Sequence, residues 1–221
     1  MNTFITNSKN RNLKNRLTEL ISKSKEIKFL TGFFYFSGIN ELYESLKNKP
    51  DIEIKILVGL NADQTIHGLV EYADNTKGLT EKERFDRFLK SIRISINSDD
   101  FDTKHFDQQI RFFINLIKQD RLKIRKTYDP NHAKLYLFNI EDDLKIIRES
   151  LFITGSSNLT VSGISLQDEF NVEISDYGTD DAETYFDKLW DDAVKISEHP
   201  DFRHKFIRFL EQETFIADVT P

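Results

Sequence analysis

A histidine and a lysine stand two positions apart where a predicted strand begins. The segment HAKLYLFNI, residues 132–140, is short and apolar, which predicts a strand that starts with His132 and contains Lys134. The two-residue period of a strand places both side chains on one face. An imidazole can act as a nucleophile, and an ammonium group can hold a phosphate oxygen. A chance pair on the surface is the alternative, and this spacing alone favours that alternative.

Polar side chains also follow the next predicted strand. The segment FITGSSNLT ends this strand at Gly155 and places Ser156, Ser157 and Asn158 in a turn that enters a short helix. Hydroxyl groups, an amide and the N–H groups of a helix N-terminus can together bind an anion. A local role is the alternative, because Ser157 or Asn158 could cap that helix.

A carboxylate comes eleven residues after Asn158. Glu169 begins the predicted strand EFNVEIS, residues 169–175, where a carboxylate is in general simply solvated. Each of the three segments is ordinary when it is taken alone. Their occurrence together, in this order and at this spacing, is far less expected by chance, so we interpret them as one site.

Together these segments resemble the catalytic motif of the phospholipase D superfamily. The residues that carry the resemblance are His132, Lys134, Gly155, Ser156, Asn158 and Glu169. The segments TGSSNLTVSG and DEFNVEI are especially similar to the nuclease and helicase-associated branch, and FLTGFFYFSGINEL (29–42) resembles the start of those domains. The resemblance covers nearly the whole chain outside residues 61–120. The family motif often continues from the lysine through four residues to an aspartate, a position that Asn139 occupies here.

The resemblance implies covalent catalysis through a phosphohistidine, without a metal ion or another cofactor. His132 would be the nucleophile, and Glu169 would orient its imidazole. Lys134, Ser156 and Asn158 would hold the phosphate oxygens as negative charge develops on them. The aspartate that this chain lacks supports structure more than chemistry in the family, so its absence leaves catalysis open.

The chain has one copy of a motif that the family uses in pairs within each active site. A second histidine is expected to protonate the leaving oxygen. None of the other histidines is followed by a lysine two residues later; they are His67, His105, His199 and His204. We therefore expect a homodimer in which His132 of each subunit meets its counterpart across a two-fold axis.

The order of the predicted elements indicates an α/β fold. The buried strands IKFLTGFFYF and IEIKILVGL are joined by a helix that opens at Ser37, which is typical of a parallel pair. With the resemblance, this order predicts a mixed β-sheet flanked by helices on both faces, a phospholipase D-like α/β/α sandwich. We expect a single domain over residues 1–221, with a largely helical insertion at about 61–120. The final segment FIADVTP resembles the junction to a C-terminal helicase-type ATPase domain; a complete small protein is the alternative.

Charge and composition constrain the substrate and the compartment. The net charge is −6 and the pI ≈ 5.5, which argues against wholesale wrapping of nucleic acid. A basic strand is the exception, because Arg121, Lys123 and Arg125 alternate and would bind DNA phosphates without sequence specificity, unless they form only a solvated face. The lack of cysteine, of a signal-peptide core and of a long apolar run favours a cytoplasmic protein that does not span a membrane. Lipid substrates are disfavoured, since no basic amphipathic helix is evident.

These observations favour a metal-independent phosphodiesterase, a DNA endonuclease that works as a homodimer. The alternative is a catalytically weak module of a helicase or restriction system that binds DNA or a partner. The joint presence of His132, Lys134, Asn158 and Glu169 favours the enzyme, because a binding module needs the lysine but not an oriented imidazole. Transfer chemistry on a lipid or another small phosphodiester is a third, disfavoured hypothesis.

Overall fold

The computed structural model of the chain describes residues 4–8, 12–65, 68–72, 78–98, 103–144, 150–175 and 177–219. In these residues the strands are β1 (Phe4–Ile5), β2 (Ser24–Thr31), β3 (Glu53–Val58), β4 (Asn61–Thr65), β5 (Gly68–Tyr72), β6 (Leu122–Lys126), β7 (Leu135–Ile140), β8 (Ser150–Gly155), β9 (Asn171–Ile174) and β10 (Val194–Lys195). The helices are α1 (Leu13–Ile21), α2 (Phe36–Asn40), α3 (Tyr43–Lys47), α4 (Glu81–Ser98), α5 (Thr103–Lys118), α6 (Thr179–Asp191) and α7 (Pro200–Val219), with a π-helical turn at Ser162–Leu166.

Eight of these strands form one mixed sheet, in the order β1-β9-β8-β7-β2-β3-β6-β10. β2, β3 and β6 are parallel to one another, and the other neighbouring strands are antiparallel. The β2–β3 pair confirms the predicted parallel unit. Its connection differs from the single helix predicted, because Leu42 has φ −101° and ψ 2° and so separates α2 from α3.

Helices cover both faces of the sheet, as predicted. Successive strand residues point to opposite faces, so Tyr136 and Phe138 of β7 lie in one core, and Leu135 and Leu137 lie in the other. The larger core contains buried residues of α1, α4, α5 and α7. The smaller core is closed by α6, which contributes Trp190. The predicted α/β/α sandwich is therefore confirmed.

The segment between β3 and β6 contains a separate two-stranded sheet, β4 with β5, and the long helices α4 and α5. α4 packs on α7 through aromatic rings: Phe85 stacks on Phe202 with 4.4 Å between ring centroids, and Phe88 lies 5.8 Å from Phe206. The two helices match the prediction. The two strands differ from it, because the sequences NADQT and GLVEY have little apolar alternation. The interpretation of this segment as an insertion in a single domain stays a prediction.

One end of the sheet collects the residues of the predicted site. β2, β3, β6 and β8 end there, whereas β7 and β9 begin there because they run antiparallel to their neighbours. We call it the carboxyl end of the sheet, and the opposite one the amino end. The segments that leave the carboxyl end contain Gly32, His132, Lys134, Asn158 and Glu169. Strand direction therefore brings together segments that are far apart in the sequence.

Candidate active site

The histidine and the lysine of the motif lie just before β7 rather than within it. The predicted strand begins at His132, whereas the observed strand begins at Leu135. The side chain of Asn131 explains the difference, because its Oδ1 accepts a hydrogen bond from the N–H of Ala133 (2.9 Å) and turns the chain locally. The pair therefore belongs to a loop, residues 127–134, which we call the His132 loop.

The two side chains of the pair are in direct contact. Lys134 is buried, with 6% of its surface exposed, while His132 is exposed. Lys134 Nζ lies 2.7 Å from His132 Nδ1 and donates to the main-chain oxygen of His132 at 2.8 Å. An ammonium group has only donors, so Nδ1 is the acceptor, and we assign the ring proton of neutral His132 to Nε2. In this arrangement Nδ1 is bound by the ammonium group of Lys134 and not by the carboxylate of Glu169 that was expected to orient the ring.

Asn158 borders the site from the β8 side. Its Oδ1 accepts a hydrogen bond from the N–H of Phe33 (3.2 Å), directly after β2. Asn158 does not cap a helix, because Val161 holds the N-cap position of the π-helical turn. A Cβ on Gly32 would lie 3.0 Å from Asn158 Oδ1 and 3.6 Å from Lys134 Nζ. The missing side chain at Gly32 therefore lets the amide and the ammonium group approach the same point.

Ser156 and Glu169 form a second pair at this end of the sheet. The hydroxyl of Ser156 donates to the carboxylate of Glu169 and accepts from the N–H of Phe170 (3.1 Å). Glu169 precedes β9, which begins at Asn171 and not at Glu169 as predicted, because the partner strand β8 ends at Gly155. The carboxylate therefore lies outside the sheet, where the Ser156 hydroxyl orients it.

Ser157 has a structural role below this turn. It is buried, its Oγ accepts from Asn171 Nδ2 (2.9 Å), and its carbonyl oxygen accepts from the hydroxyl of Tyr136 (2.8 Å). Burial raises the pKa of the Tyr136 hydroxyl, and the negative charge of Glu169 raises it further. Tyr136 therefore stays neutral and holds the turn that carries Asn158.

Three residues that position the His132 loop were absent from the sequence-based site: Gly59, Asn131 and Tyr185. The N–H of Asn131 donates to Gly59 O (3.1 Å), and its Nδ2 donates to the Tyr185 hydroxyl on α6 (2.9 Å). A Cβ at position 59 would lie 1.8 Å from Asn131 O, so only glycine fits there. The signal for Gly59 is its place directly after the clearest strand. The sequence holds no signal that links Tyr185 to Asn131, 54 residues earlier.

The three basic residues predicted to bind DNA have different surroundings. Arg125 is buried, forms a bidentate ion pair with Glu198 (2.6 and 2.7 Å), and lies 4.3 Å from the centre of the Trp190 ring. Arg121 lies at the amino end of β6 and donates to a main-chain oxygen at 3.1 Å. Lys123 is half-buried. DNA binding by Arg121 and Lys123 stays a prediction. For Arg125, binding to a DNA phosphate would require its ion pair with Glu198 to open, which would leave the Glu198 carboxylate uncompensated.

In the described part of the chain, the other histidines lie away from the pair. His199 follows β10, which runs antiparallel to β6 and so away from the carboxyl end. His204 is exposed on α7. His67 and the side chain of His105 lie outside the described residues. The described residues therefore place His132 alone, of these five, in the candidate site.

The described ranges lack the features of a metal site and of a membrane span. They contain no group of three or more His, Asp or Glu side chains that could hold a metal ion. None of their helices is both long enough and apolar enough to cross a membrane.

Three solved structures are similar to this chain. NucT from Helicobacter pylori is 14% identical with a TM-score of 0.44, and the match covers 82% of this chain and 89% of that chain. The phospholipase D family member Nuc from Salmonella typhimurium is 14% identical with a TM-score of 0.41 and the same coverage, 82% and 89%. Phosphatidylserine synthase from Haemophilus influenzae Rd KW20 is 13% identical with a TM-score of 0.52, and the match covers 98% of this chain and 47% of that chain. The last similarity supports the fold alone.

The sequence itself matches one family of domains. No match was found among curated proteins. Residues 17–190, however, match the family described as cardiolipin synthase, PLD-like domain. This range contains His132, Lys134, Asn158 and Glu169, together with the strands that place them at the carboxyl end of the sheet. Because the match covers most of the chain, the chain belongs to the phospholipase D superfamily.

Proposed function

We propose that the protein is a phosphodiesterase that cleaves DNA through a phosphohistidine intermediate, without a metal ion. The observation that carries this proposal is the position of Lys134 Nζ. It lies 2.7 Å from Nδ1 of His132, and Lys134 Nζ and Asn158 Oδ1 both lie next to Gly32. A cation and an amide next to a nucleophile are the groups that can stabilise the oxygens of a phosphate under attack. The support for DNA as the substrate is the resemblance of residues 154–163 and 168–174 to the nuclease branch of the superfamily.

The first step begins at the contact between Lys134 and His132. A phosphate oxygen is a stronger acceptor for an ammonium group than a neutral imidazole nitrogen, so a bound phosphodiester draws Lys134 away from Nδ1. The ring proton can then lie on Nδ1 with Glu169 as its acceptor, which frees the lone pair of Nε2. A bond forms between Nε2 and phosphorus while the bond from phosphorus to the leaving oxygen breaks.

The leaving oxygen needs a proton, and its proposed source is the protonated imidazole of His132 in a second copy of the chain, which becomes neutral. In the second step that imidazole takes a proton from water, the water oxygen attacks phosphorus, and the bond to Nε2 breaks. One site is then complete only when two copies meet across a two-fold axis. Light scattering at the assay concentration is expected to give the mass of a dimer. A fully active monomer would contradict this part of the proposal.

The test is cleavage of single- and double-stranded DNA in excess EDTA by the parent protein and by His132→Ala. His204→Ala is the matched control, because it removes an exposed histidine from α7. We expect the parent and the control to cleave, and His132→Ala to be inactive. Cleavage by His132→Ala at the parent rate would reject the mechanism. If all three proteins bind DNA and none cleaves it, the result favours the binding module over the enzyme.

A further inference from the structure

A cleft opens beside Asn158 at the carboxyl end of the sheet. Its volume is ≈ 210 Å³, and Asn158 and Glu169 line both this cleft and the candidate active site. Its lining residues include Phe33, which is buried, and the half-buried Tyr35, both from the segment after β2, together with the exposed Gln167. A group esterified to a phosphate in the active site can therefore reach this cleft.

The charge of the cleft argues against a second phosphate within it. Glu169 is the one charged residue among those that line it, all of which lie in the described part of the chain. A phosphate in the cleft would face this carboxylate with no lining cation to offset the repulsion. The group that enters the cleft is therefore expected to be neutral.

The polar atoms of the cleft argue against an acyl chain. Asn158, Thr160, Ser162 and Gln167 contribute amide and hydroxyl groups to its lining. Asn158 Oδ1 and Thr160 Oγ1 already accept hydrogen bonds from main-chain N–H groups. A hydrocarbon chain would remove the other polar atoms of these side chains from water without giving them hydrogen-bond partners, which is unfavourable. The cleft therefore suits a group that is both neutral and able to form hydrogen bonds.

We propose that this cleft binds a nucleobase next to the scissile phosphodiester. The proposal rests on the proposed function and specifies its substrate class, a nucleic acid rather than a phospholipid. A base is planar and neutral, it stacks on aromatic rings, and its edge carries donors and acceptors that pair with amides. The half-buried ring of Tyr35 and the amide of Gln167 match these two properties.

The backbone of Gln167 is fixed at the cleft by two hydrogen bonds. Its N–H donates to Ser162 O (2.8 Å), and its carbonyl oxygen accepts from Asn7 Nδ2 (2.9 Å). The exposed side chain of Gln167 can thus be removed while these main-chain contacts remain. We therefore expect Gln167→Ala to change the cleft and to leave the fold intact.

The experiment measures base binding separately from cleavage. It uses the full chain with His132→Ala and two dinucleotides, each with the fluorescent base 2-aminopurine on one sugar and no base on the other. Stacking on an aromatic ring quenches this fluorophore. Because the cleft lies on one side of the phosphate, we expect one dinucleotide to be quenched and to bind about 5-fold to 100-fold more tightly than a dinucleotide without bases.

Substitutions in the cleft identify where the base binds. Tyr35→Leu keeps apolar bulk but removes the ring, so we expect it to abolish quenching and most of the preference for the base. Tyr35→Phe should retain both, and Gln167→Ala should weaken binding about 5-fold through a lost hydrogen bond. Tyr177→Leu is the matched control, because Tyr177 is an exposed tyrosine between β9 and α6.

The outcomes separate this inference from the proposed function. Equal quenching in Tyr35→Leu and in its background protein, or equal affinity for the dinucleotide without bases, would overturn the nucleobase cleft. Cleavage of DNA by the parent protein is measured alongside. Cleavage without base binding would keep the phosphodiesterase and reject the cleft, whereas base binding without cleavage would keep the cleft and reject the nuclease.

Discussion

Lys28 in β2 and Lys134 just before β7 are both buried lysines, but their surroundings differ. Lys28 Nζ lies 2.6 Å from a carboxylate oxygen of Glu183 and 2.9 Å from one of Asp187. Lys134 instead contacts a ring nitrogen and the main-chain oxygen of His132. Opening the Lys28 contacts separates opposite charges in a poorly solvated place, whereas opening the Lys134–His132 contact does not. The comparison supports a role of Lys28 in stability and agrees with the proposed role of Lys134 in binding a substrate anion.

The pKa values around Lys28 follow from the same contacts. Burial lowers the pKa of Lys28, but hydrogen bonds to Glu183 and Asp187 raise it overall. Burial raises the pKa of Glu183, but the hydrogen bond and charge of Lys28 lower it overall. A raised lysine pKa stabilises the fold below the ordinary value of 10.5, and a lowered carboxyl pKa stabilises it above the ordinary value of 4.5. The network is thus expected to stabilise the protein between these limits and to weaken as the pH falls below 4.5.

The largest effect is expected from Lys134→Met. Loss of one group that stabilises developing negative charge lowers kcat by about 10²-fold to 10³-fold. Loss of the two contacts with His132 should lower the free energy of unfolding by about 1 kcal/mol for each hydrogen bond, because neither of these contacts is an ion pair. DNA cleavage rates and urea unfolding of the same preparations check both statements. An unchanged kcat in Lys134→Met would contradict the proposed role of Lys134 in catalysis.

Lys28→Met is expected to have the opposite effects. Removing one partner of a buried ion pair costs about 3–5 kcal/mol, and partial exposure of Glu183 and Asp187 reduces this to about 2 kcal/mol here. The rate of cleavage by the folded protein should stay at the parent value. The loss of stability should shrink as the pH falls below 4.5 and through the lowered pKa of Glu183, where this carboxylate becomes protonated. A loss that is independent of pH would indicate packing rather than charge.

The two lysines also show which features the sequence can predict and which it cannot. Apolar alternation and turn residues predicted β2, β3, β7 and β8, and strand direction then brings His132, Lys134 and Asn158 to one end of the sheet. Local periodicity could not show that the side chain of Asn131 takes His132 out of the strand. It also could not show that Arg125 pairs with Glu198, because that contact joins positions 73 residues apart. Long-range side-chain contacts decide which basic residues are available to a substrate.

Asn139, which occupies the position of the usual motif aspartate, contacts the carboxylates around Lys28 and not the candidate active site. A substitution at this position therefore tests the Lys28 side of the comparison. Asn139 Nδ2 donates to Glu26 (2.6 Å) and to Glu183 (3.3 Å), about 17 Å along β7 from Lys134. Asn139→Asp replaces this donor with a third carboxylate, so we expect a loss of about 1–2 kcal/mol in the free energy of unfolding at neutral pH.

The pH dependence of Asn139→Asp separates charge from a lost hydrogen bond. Neighbouring carboxylates raise the pKa of the new carboxyl group in the folded state. Its cost is therefore full above that folded pKa and disappears as the pH falls to the unfolded value of about 3.9. Asn139→Ala is the control, because it removes the donor and adds no charge. Equal stability curves for the two variants would show that charge repulsion at this position is unimportant.

The smallest effect is expected from a substitution in α6. Two residues of this helix, two positions apart, contact the His132 loop and Lys28 respectively. Tyr185 accepts a hydrogen bond from Asn131 in the His132 loop, whereas Glu183 pairs with Lys28. Tyr185→Phe removes one neutral hydrogen bond, so we expect kcat to fall about 3-fold with unfolding almost unchanged. Glu183→Gln should instead lower stability and leave kcat at the parent value. If Tyr185→Phe lowered stability and spared kcat, Asn131 would need no support from α6, and the His132 loop would depend for its position on its contacts with Gly59 and with α4, where Arg84 donates to Tyr128 O.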